Sequence, residues 1–407
     1  MVHLDRSGKV QSTIPKPVKS KNLSETSTVL PENCFAGTML DEELLVKVTE
    51  HAERVTLELP QDYQAQLDIR EIFTPQKTLL INGTAHSHKQ HNNDENKENV
   101  DGNSSSTNNN TNSISSPSNH TALPQHEPYG LIILNQDIDI LPELFRKLWE
   151  KCHVRICADG GGNRLYEFDR SYVPDYIIGD FDSLRPEVAQ HYASMGTVVI
   201  RQKTQLSSDL SKALSVMKLT FLNLLKDNYI DTTKENNGIE IFDGIHKLDE
   251  KHEADFLEKV PNFKVICLNG IGGRFDQTVQ SIAHLYYDWL NVPSPTSNCG
   301  TCDPKMIFVT GSDIIIKVPK GPFYLKYDAE IKDKVLLNCG LLPLGNPTTV
   351  VKTVGFKWDV VDWETSVPKG RVSSSNRFSN TNGCYINVKE DLILNIEMNY
   401  EQLLHII

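Results

Sequence analysis

Pro174-Asp-Tyr-Ile-Ile-Gly-Asp-Phe-Asp-Ser183 is the stretch on which the reading of this chain turns. Tyr176, Ile177 and Ile178 form a short apolar run bounded by Pro174 and Gly179, the pattern of a buried strand that stops at the glycine. Asp180 and Asp182 then fall in the loop at the strand's carboxyl end, the edge where open α/β sheets bind ligands. Like charges this close repel unless a cation lies between them or one is protonated, so the pair implies an ion. Oxygen donors with retained water suit Mg2+. Asp182 serves equally well as the cap of a helix beginning near Leu184.

On the amino-terminal side, Gly130 to Asn135 reads as a buried strand, Leu141 to Lys151 as a helix carrying Leu144, Leu148 and Trp149, and Val154 to Ala158 as a second strand. That strand runs into Asp159-Gly-Gly-Gly-Asn163, where glycines let the backbone come close to a ligand or simply make a tight strand-to-helix turn. On the carboxyl-terminal side come a helix from about Arg185 to Met195 and a strand from Thr197 to Arg201. Gln205-Leu-Ser-Ser-Asp209-Leu-Ser-Lys212 then opens a helix that continues through Phe221, with Ser207 or Ser208 as its cap. Asp209 and Lys212 share a face near its amino end, which is either a phosphate-binding arrangement or a surface ion pair. Val265 to Leu268 is a further strand, leading into Asn269-Gly-Ile-Gly-Gly-Arg-Phe-Asp-Gln277 and a helix with Val279, Ile282, Leu285, Tyr286 and Leu290 facing inward. Arg274 suits phosphate, and Asp276 suits a metal, a nucleotide or the helix cap. The alternation predicts a mostly parallel sheet with helices on both faces.

After Lys305 the texture changes to short β-rich runs punctuated by Gly and Pro, from Met306–Val309 to Leu392–Met398, which predicts an antiparallel sandwich with little helix. The expected organisation is an N-terminal extension over 1–85, an Asn/Ser-rich linker over 86–127, a Rossmann-like α/β domain over 128–300 with a charged insertion near 227–259, and a β-sandwich over 301–407. Residues 1–40 and 86–127 have too little apolar surface to offset their ordering entropy and are expected to be disordered. Between them, Leu44, Leu45, Val48 and Val55 follow helical spacing over 40–59, and Thr78 to Ile81 reads as a short strand.

A formal net charge of -12 argues against a nucleic-acid partner, and no apolar run approaches the ~20 residues of a membrane span. The N-terminus lacks the apolar stretch of a secretory signal, and Pro15 and Pro17 interrupt any presequence helix. Eight dispersed cysteines fit a reducing, cytoplasmic location, and Cys299 and Cys302 have no second pair with which to build a zinc site. There is no Walker motif, and no glycine cluster completes a dinucleotide fingerprint. Several acidic motifs at strand ends of one sheet, joined by Lys212 and Arg274, describe instead Mg2+-assisted phosphoryl or pyrophosphoryl transfer.

Ala-Asp159-Gly-Gly-Gly-Asn163-Arg, Gly-Asp180-Phe-Asp182-Ser183, Ser-Asp209-Leu-Ser-Lys212, Gly-Gly273-Arg274-Phe-Asp276-Gln277, Cys339-Gly-Leu-Leu-Pro-Leu-Gly345, Thr353-Val-Gly-Phe-Lys-Trp358 and Val372-Ser-Ser-Ser375-Asn376 occur in that order. Over about residues 128–407 the chain thereby resembles the eukaryotic, fungal-type thiamin pyrophosphokinases. The resemblance implies an α/β catalytic domain joined to a β-sandwich, a homodimer with thiamin held where the subunits meet, and transfer of pyrophosphate from ATP to the hydroxyl of thiamin, releasing AMP. It implies that Asp180, Asp182 and Asp209 hold Mg2+ and that Lys212 and Arg274 contact phosphate. It places Asp159, Asn163, Ser208, Gly273 and Asp276 at the same site and Gln205 near the substrate, with Trp358, Ser373, Ser375 and Asn376 in the thiamin pocket. Asp209 and Asp276 both stand as acceptors of the hydroxyl proton, and Trp358 reads alternatively as a sandwich core residue. Leu206 stands where many members carry an acid, and the 227–259 insertion has no assigned counterpart. Transfer of a single phosphoryl group and a non-catalytic thiamin sensor are the rival readings.

Overall fold

The computed structural model describes residues 47–74, 128–230, 239, 244–260, 263–287 and 303–407. Its first element is a strand, β1 (Lys47–Glu50), where helical spacing was expected. All four of its residues are exposed, and it exists because it pairs with a strand three hundred residues away, so a tertiary partner overrides local periodicity. Next come β2 (Ala65–Asp68) and the one-and-a-half-turn helix α1 (Ile69–Phe73), capped by Asp68. Ala65, Leu67, Ile69, Ile72 and Phe73 are all buried, so this part of the expected extension belongs to the main core. The strand expected at 78–81 and the linker over 86–127 lie outside the described residues.

From Tyr129 the alternation is the expected one: β3 (Tyr129–Ile133), α2 (Pro142–Lys151), β4 (Val154–Ala158), α3 (Gly161–Asp169), β5 (Tyr176–Gly179), α4 (Pro186–Ser194), β6 (Val198–Arg201) and α5 (Asp209–Phe221). A single π-turn at Leu225–Tyr229 precedes α6 (Ile245–Lys251) and α7 (Glu253–Lys259) in the charged segment, then β7 (Lys264–Leu268) and α8 (Phe275–Tyr286). The β-rich part holds β8 (Met306–Val309), β9 (Asp313–Val318), β10 (Gly321–Lys326), α9 (Ala329–Lys334), β11 (Leu336–Leu342), β12 (Thr348–Val354), β13 (Trp358–Thr365), β14 (Ser373–Arg377), β15 (Cys384–Val388), β16 (Leu392–Met398) and α10 (Tyr400–Leu404).

These strands make two sheets. One has ten strands in the order β14-β11-β16-β9-β8-β7-β3-β4-β5-β6, and the other six in the order β1-β13-β12-β15-β10-β2. The half from β8 to β6 is parallel, and the half from β14 to β9 is antiparallel and faces the six-stranded sheet as a sandwich. The expected fold class is therefore present, but the line drawn near residue 300 does not separate two sheets. β8 pairs in parallel with β7 through Val265↔Met306 to Leu268↔Val309, and β9 turns back against β8. Edge-to-edge continuation keeps the backbone groups of the two halves paired with each other. One core, running from Phe145 and Ile266 to Phe323 and Trp363, accordingly spans both halves.

On the other face of the parallel half, α5 lies under β4 and β5, and the charged segment covers it. The carboxylate of Asp249 on α6 meets Lys218 on α5 and accepts from Ser215 Oγ at 3.0 Å. Burial pushes the carboxyl of Asp249 up and the ammonium of Lys218 down, the cost of pairing them inside.

Candidate active site

The parallel strands end together on one edge, and three residues there take left-handed backbone although none is glycine: Asp159 after β4 (φ 43°), Phe181 after β5 (φ 66°) and Asn269 after β7 (φ 64°). Such strain persists only where the surroundings enforce it, and it gathers at functional sites. Asp159 is buried and holds the neighbouring loop: Phe181 N–H donates to its Oδ1 at 2.9 Å and Ser183 N–H to its Oδ2 at 3.1 Å. Gly179 permits this approach, since a Cβ there would stand 2.5 Å from that of Asp159. Asn163 pins the same loop from α3, donating to Ser183 O at 2.8 Å and accepting from Arg185 N–H at 3.1 Å. Its amide is thus bonded to the loop backbone through both its nitrogen and its oxygen.

So held, Asp159, Asp180 and Asp182 present carboxylate oxygens within 4.8 Å of one another. The expected set was Asp180, Asp182 and Asp209; the tight group takes Asp159 in place of Asp209, because the strand-end turn delivers Asp159 directly against the loop. Burial and then the Asp209 charge raise the Asp159 carboxyl to about 6. Burial also pushes Asp180 up, but a hydrogen bond from the Gln205 amide, the Asp182 N–H and the Lys212 charge together hold it below the usual range. Gln205, expected near the substrate, thus donates to Asp180 Oδ2, and Arg201 Nε donates to Asp180 O at 3.1 Å.

Asp209 starts α5 and meets the 2%-exposed Lys212 at 2.9 Å. Burial raises its carboxyl against the pull of that lysine, and Asp180 and Asp182 add to the rise. Ser208 is the cap of α5, accepting from Ser211 N–H at 3.1 Å, and its Oγ lies 2.9 Å from Nε2 of buried His284 on α8. His284 was not singled out in the sequence, where a lone histidine in a helix carries no signal.

Arg274 and Asp276 are not drawn into the acidic cluster. They form a two-pronged pair with each other at 3.1 and 2.5 Å, about 70% and 67% exposed, at the amino end of α8. Arg274 lowers the carboxyl of Asp276. Gly273 precedes them with φ 60°, and Gln136 Nε2 donates to Gly272 O at 2.8 Å. Val279, expected inward, is 47% exposed, and Phe275 is 80% exposed, so one apolar face of α8 looks outward.

Trp358, Ser373 and Asn376 line a separate small groove, partly open to solvent, with Val48, Leu341, Thr353, Val360 and Trp363. Asn376 fixes Trp358 by accepting from its N–H at 3.2 Å and donating to its carbonyl at 2.9 Å. The Trp358 indole Nε1 is buried with no hydrogen-bond partner among the described residues. Lys357 Nζ stands 4.8 Å from the Trp358 ring. Ser375 is exposed on edge strand β14 and is not among the residues lining the groove.

Two family descriptions match: "Thiamin pyrophosphokinase, catalytic domain" over residues 145–292 and "Thiamin pyrophosphokinase, vitamin B1 binding domain" over 329–393. The Thiamine pyrophosphokinase of Saccharomyces cerevisiae is 40% identical over 293 residues, 69% of this chain and 88% of that one. Thiamine pyrophosphokinase 1 of Arabidopsis thaliana is 27% identical over 263 residues, 61% of this chain and 78% of the relative. The crystal structure of yeast thiamin pyrophosphokinase superposes with a TM-score of 0.69 at 32% identity, covering 89% of this chain and all of that one, and the Candida albicans enzyme with 0.63 at 30%, covering 88% and all. With the same two-part architecture, both family descriptions in order and this level of identity, the chain belongs to the thiamin pyrophosphokinase family.

Proposed function

We propose that this family member moves the pyrophosphoryl group of ATP onto the hydroxyl of thiamin, releasing AMP, at the acidic cluster beside the amino end of α5. The observation that carries the assignment of the site is the approach of the Asp159, Asp180 and Asp182 oxygens to within 4.8 Å, with the Asp209–Lys212 pair alongside. Asp180 and Asp182, the more exposed members of the group, face outward as oxygen donors for a hard divalent ion, while Asp159 anchors their loop through the Phe181 and Ser183 N–H groups. The carboxyl of Asp159 is raised first by burial and then by the neighbouring Asp209 and Asp182 charges, and a bound cation would offset the latter. Mg2+ held there would neutralise charge on the triphosphate.

The chain's own groups do the rest. Lys212, oriented by Asp209, stabilises charge that develops on the transferred group. Arg274, at the mouth of the same strand-end edge, exchanges Asp276 for phosphate oxygens when ATP arrives. Asp209 is the better acceptor for the hydroxyl proton, because burial raises its proton affinity while Arg274 lowers that of Asp276.

Thiamin lies in the Trp358 groove, whose aromatic wall suits a flat cationic ring. Groove and acidic cluster sit far apart along one sheet: from β11 to β4 there are six strand spacings of about 4.8 Å, roughly 30 Å. A reaction between the two ligands therefore favours a homodimer in which one subunit's groove faces the other's cluster. Exposed Leu206 (82%), next to Gln205, and exposed Phe275 and Val279 on α8 supply apolar surface for that contact. The five cysteines described as free thiols, all buried, favour a reducing cytoplasmic setting, and no helix among the described residues is long and apolar enough to cross a membrane. Incubation of the purified protein with ATP, Mg2+ and thiamin should yield AMP and thiamin diphosphate in equal amounts; ADP with thiamin monophosphate would overturn the reaction.

A further inference from the structure

Of the residues lining the Trp358 groove, Val48 alone comes from outside the stretch 341–376. It reaches the groove because β1 adds to the free edge of β13, with Val48 directly across from Val360 and Glu50 directly across from Trp358. Residues opposite one another on antiparallel strands share a face, and that face alternates every second residue. Val48 and Glu50 are therefore on the side that Val360 and Trp358 turn to the groove.

The other side of the strand is its anchor. Thr49 pairs with Asp359, and the next residue on that side, His51, sets Nε2 3.0 Å from the buried Asp359 carboxylate. That carboxylate also accepts Gly355 N–H at 2.9 Å and Phe356 N–H at 3.1 Å. His51 N–H donates to Lys357 O at 2.8 Å, Val55 N–H to Ser379 O at 3.0 Å, and Leu57 N–H to Asn380 Oδ1 at 2.8 Å. Arg54 pairs with Asp333 at 2.6 Å. An exposed four-residue edge strand thus has a run of fastenings that hold it in one register beside the groove.

We propose that the segment 47–57 is a specificity-determining wall of the thiamin groove, with Val48 packing against the bound heterocycle and Glu50 supplying negative charge at the Trp358 rim. The proposal rests on the groove being the thiamin site. Lys357 lies over the Trp358 ring, so the rim would otherwise present a like charge to a cationic substrate. Glu50 offsets it, and a neutral ring of the same shape gains nothing from that charge.

The test compares Val48→Trp, Glu50→Lys and Trp358→Ala in the full chain, measuring KM for thiamin and for ATP and thiamin binding by tryptophan quenching. Val48→Trp should raise the thiamin KM about tenfold by filling the groove. Glu50→Lys should raise it about three- to fivefold, with the effect shrinking at high salt, as for a partly exposed charge. The ATP KM should stay put in both, and Tm should hold because both positions are exposed on an edge strand. If Trp358→Ala raises the thiamin KM while both strand variants leave it within twofold, the wall proposal is overturned. If Trp358→Ala also leaves it unchanged, the groove assignment itself fails.

Discussion

Asp159 shows how a single buried carboxylate can organise a loop. Its two oxygens are committed to Phe181 and Ser183 N–H groups, so it holds the loop on which Asp180 and Asp182 ride, and Asn163 holds the same loop from the opposite side. The two classes of residue separate by experiment. Asp180→Asn should cut turnover by about two to three orders of magnitude while leaving thiamin affinity nearly intact, and it should abolish any rise in Tm on adding Mg2+. Wild-type turnover in that variant would remove Asp180 from the metal set. Asn163→Ala, which deletes two hydrogen bonds from a buried amide, should lower stability by about 1–3 kcal/mol in denaturant melts. Its turnover should fall less than that of Asp180→Asn, since its loop is loosened rather than stripped of a ligand.

Helix α5 joins the chemistry to the rest of the molecule. Its first turn carries Asp209 and Lys212, and its later turns carry Lys218 and Ser215, to which α6 is fastened through Asp249. Helix α6, part of the charged segment that in the sequence reads as an addition to the catalytic domain, is thus a brace on the helix that presents Lys212. Asp249→Asn removes the carboxylate that faces a buried ammonium, and the expected loss is about 3 kcal/mol of stability. Because α5 would shift with it, kcat should fall as well. A variant with unchanged Tm and unchanged kcat would show that the brace is dispensable. His284 forms a second tie, linking the cap of α5 to α8.

The separation of the groove from the acidic cluster makes the assembly itself testable. Asp180→Asn and Trp358→Ala damage different ends of the proposed composite site. Mixed after unfolding and refolding, or co-expressed, and assayed at thiamin concentrations where each variant alone turns over little, the two chains should regain roughly one quarter of wild-type activity through heterodimers that keep one intact site. A mixture as inactive as its parents would mean that each chain completes its own site, and the distance argument along the ten-stranded sheet would need another explanation. Sedimentation of the wild-type chain should report a dimer whose contact is weakened by Phe275→Glu, because that exposed ring lies on the face assigned to the contact.

Much of the parallel half was legible in the sequence. Buried parallel strands read as short apolar runs, their ends are marked by glycine, and the acids that follow them fall on one edge by topology alone; β4, β5 and β7 were read in this way almost to the residue. Pairing across long sequence distances was not legible. The spacing of apolar residues over 40–59 is compatible with a helix, and only the open edge of β13 makes Lys47–Glu50 a strand and brings Val48 to the groove. The change of texture near residue 300 reflects the antiparallel partners that follow, although β8 itself still continues the parallel sheet. The proposed chemistry of the site rests on residue types that the sequence displays openly, acids suited to a cation and basic groups suited to phosphate. Which acid shares the cluster, which amide merely props a loop and which arginine points outward depended on backbone turns at Asp159, Phe181 and Gly273, whose directions arise from packing between strands rather than from any local pattern.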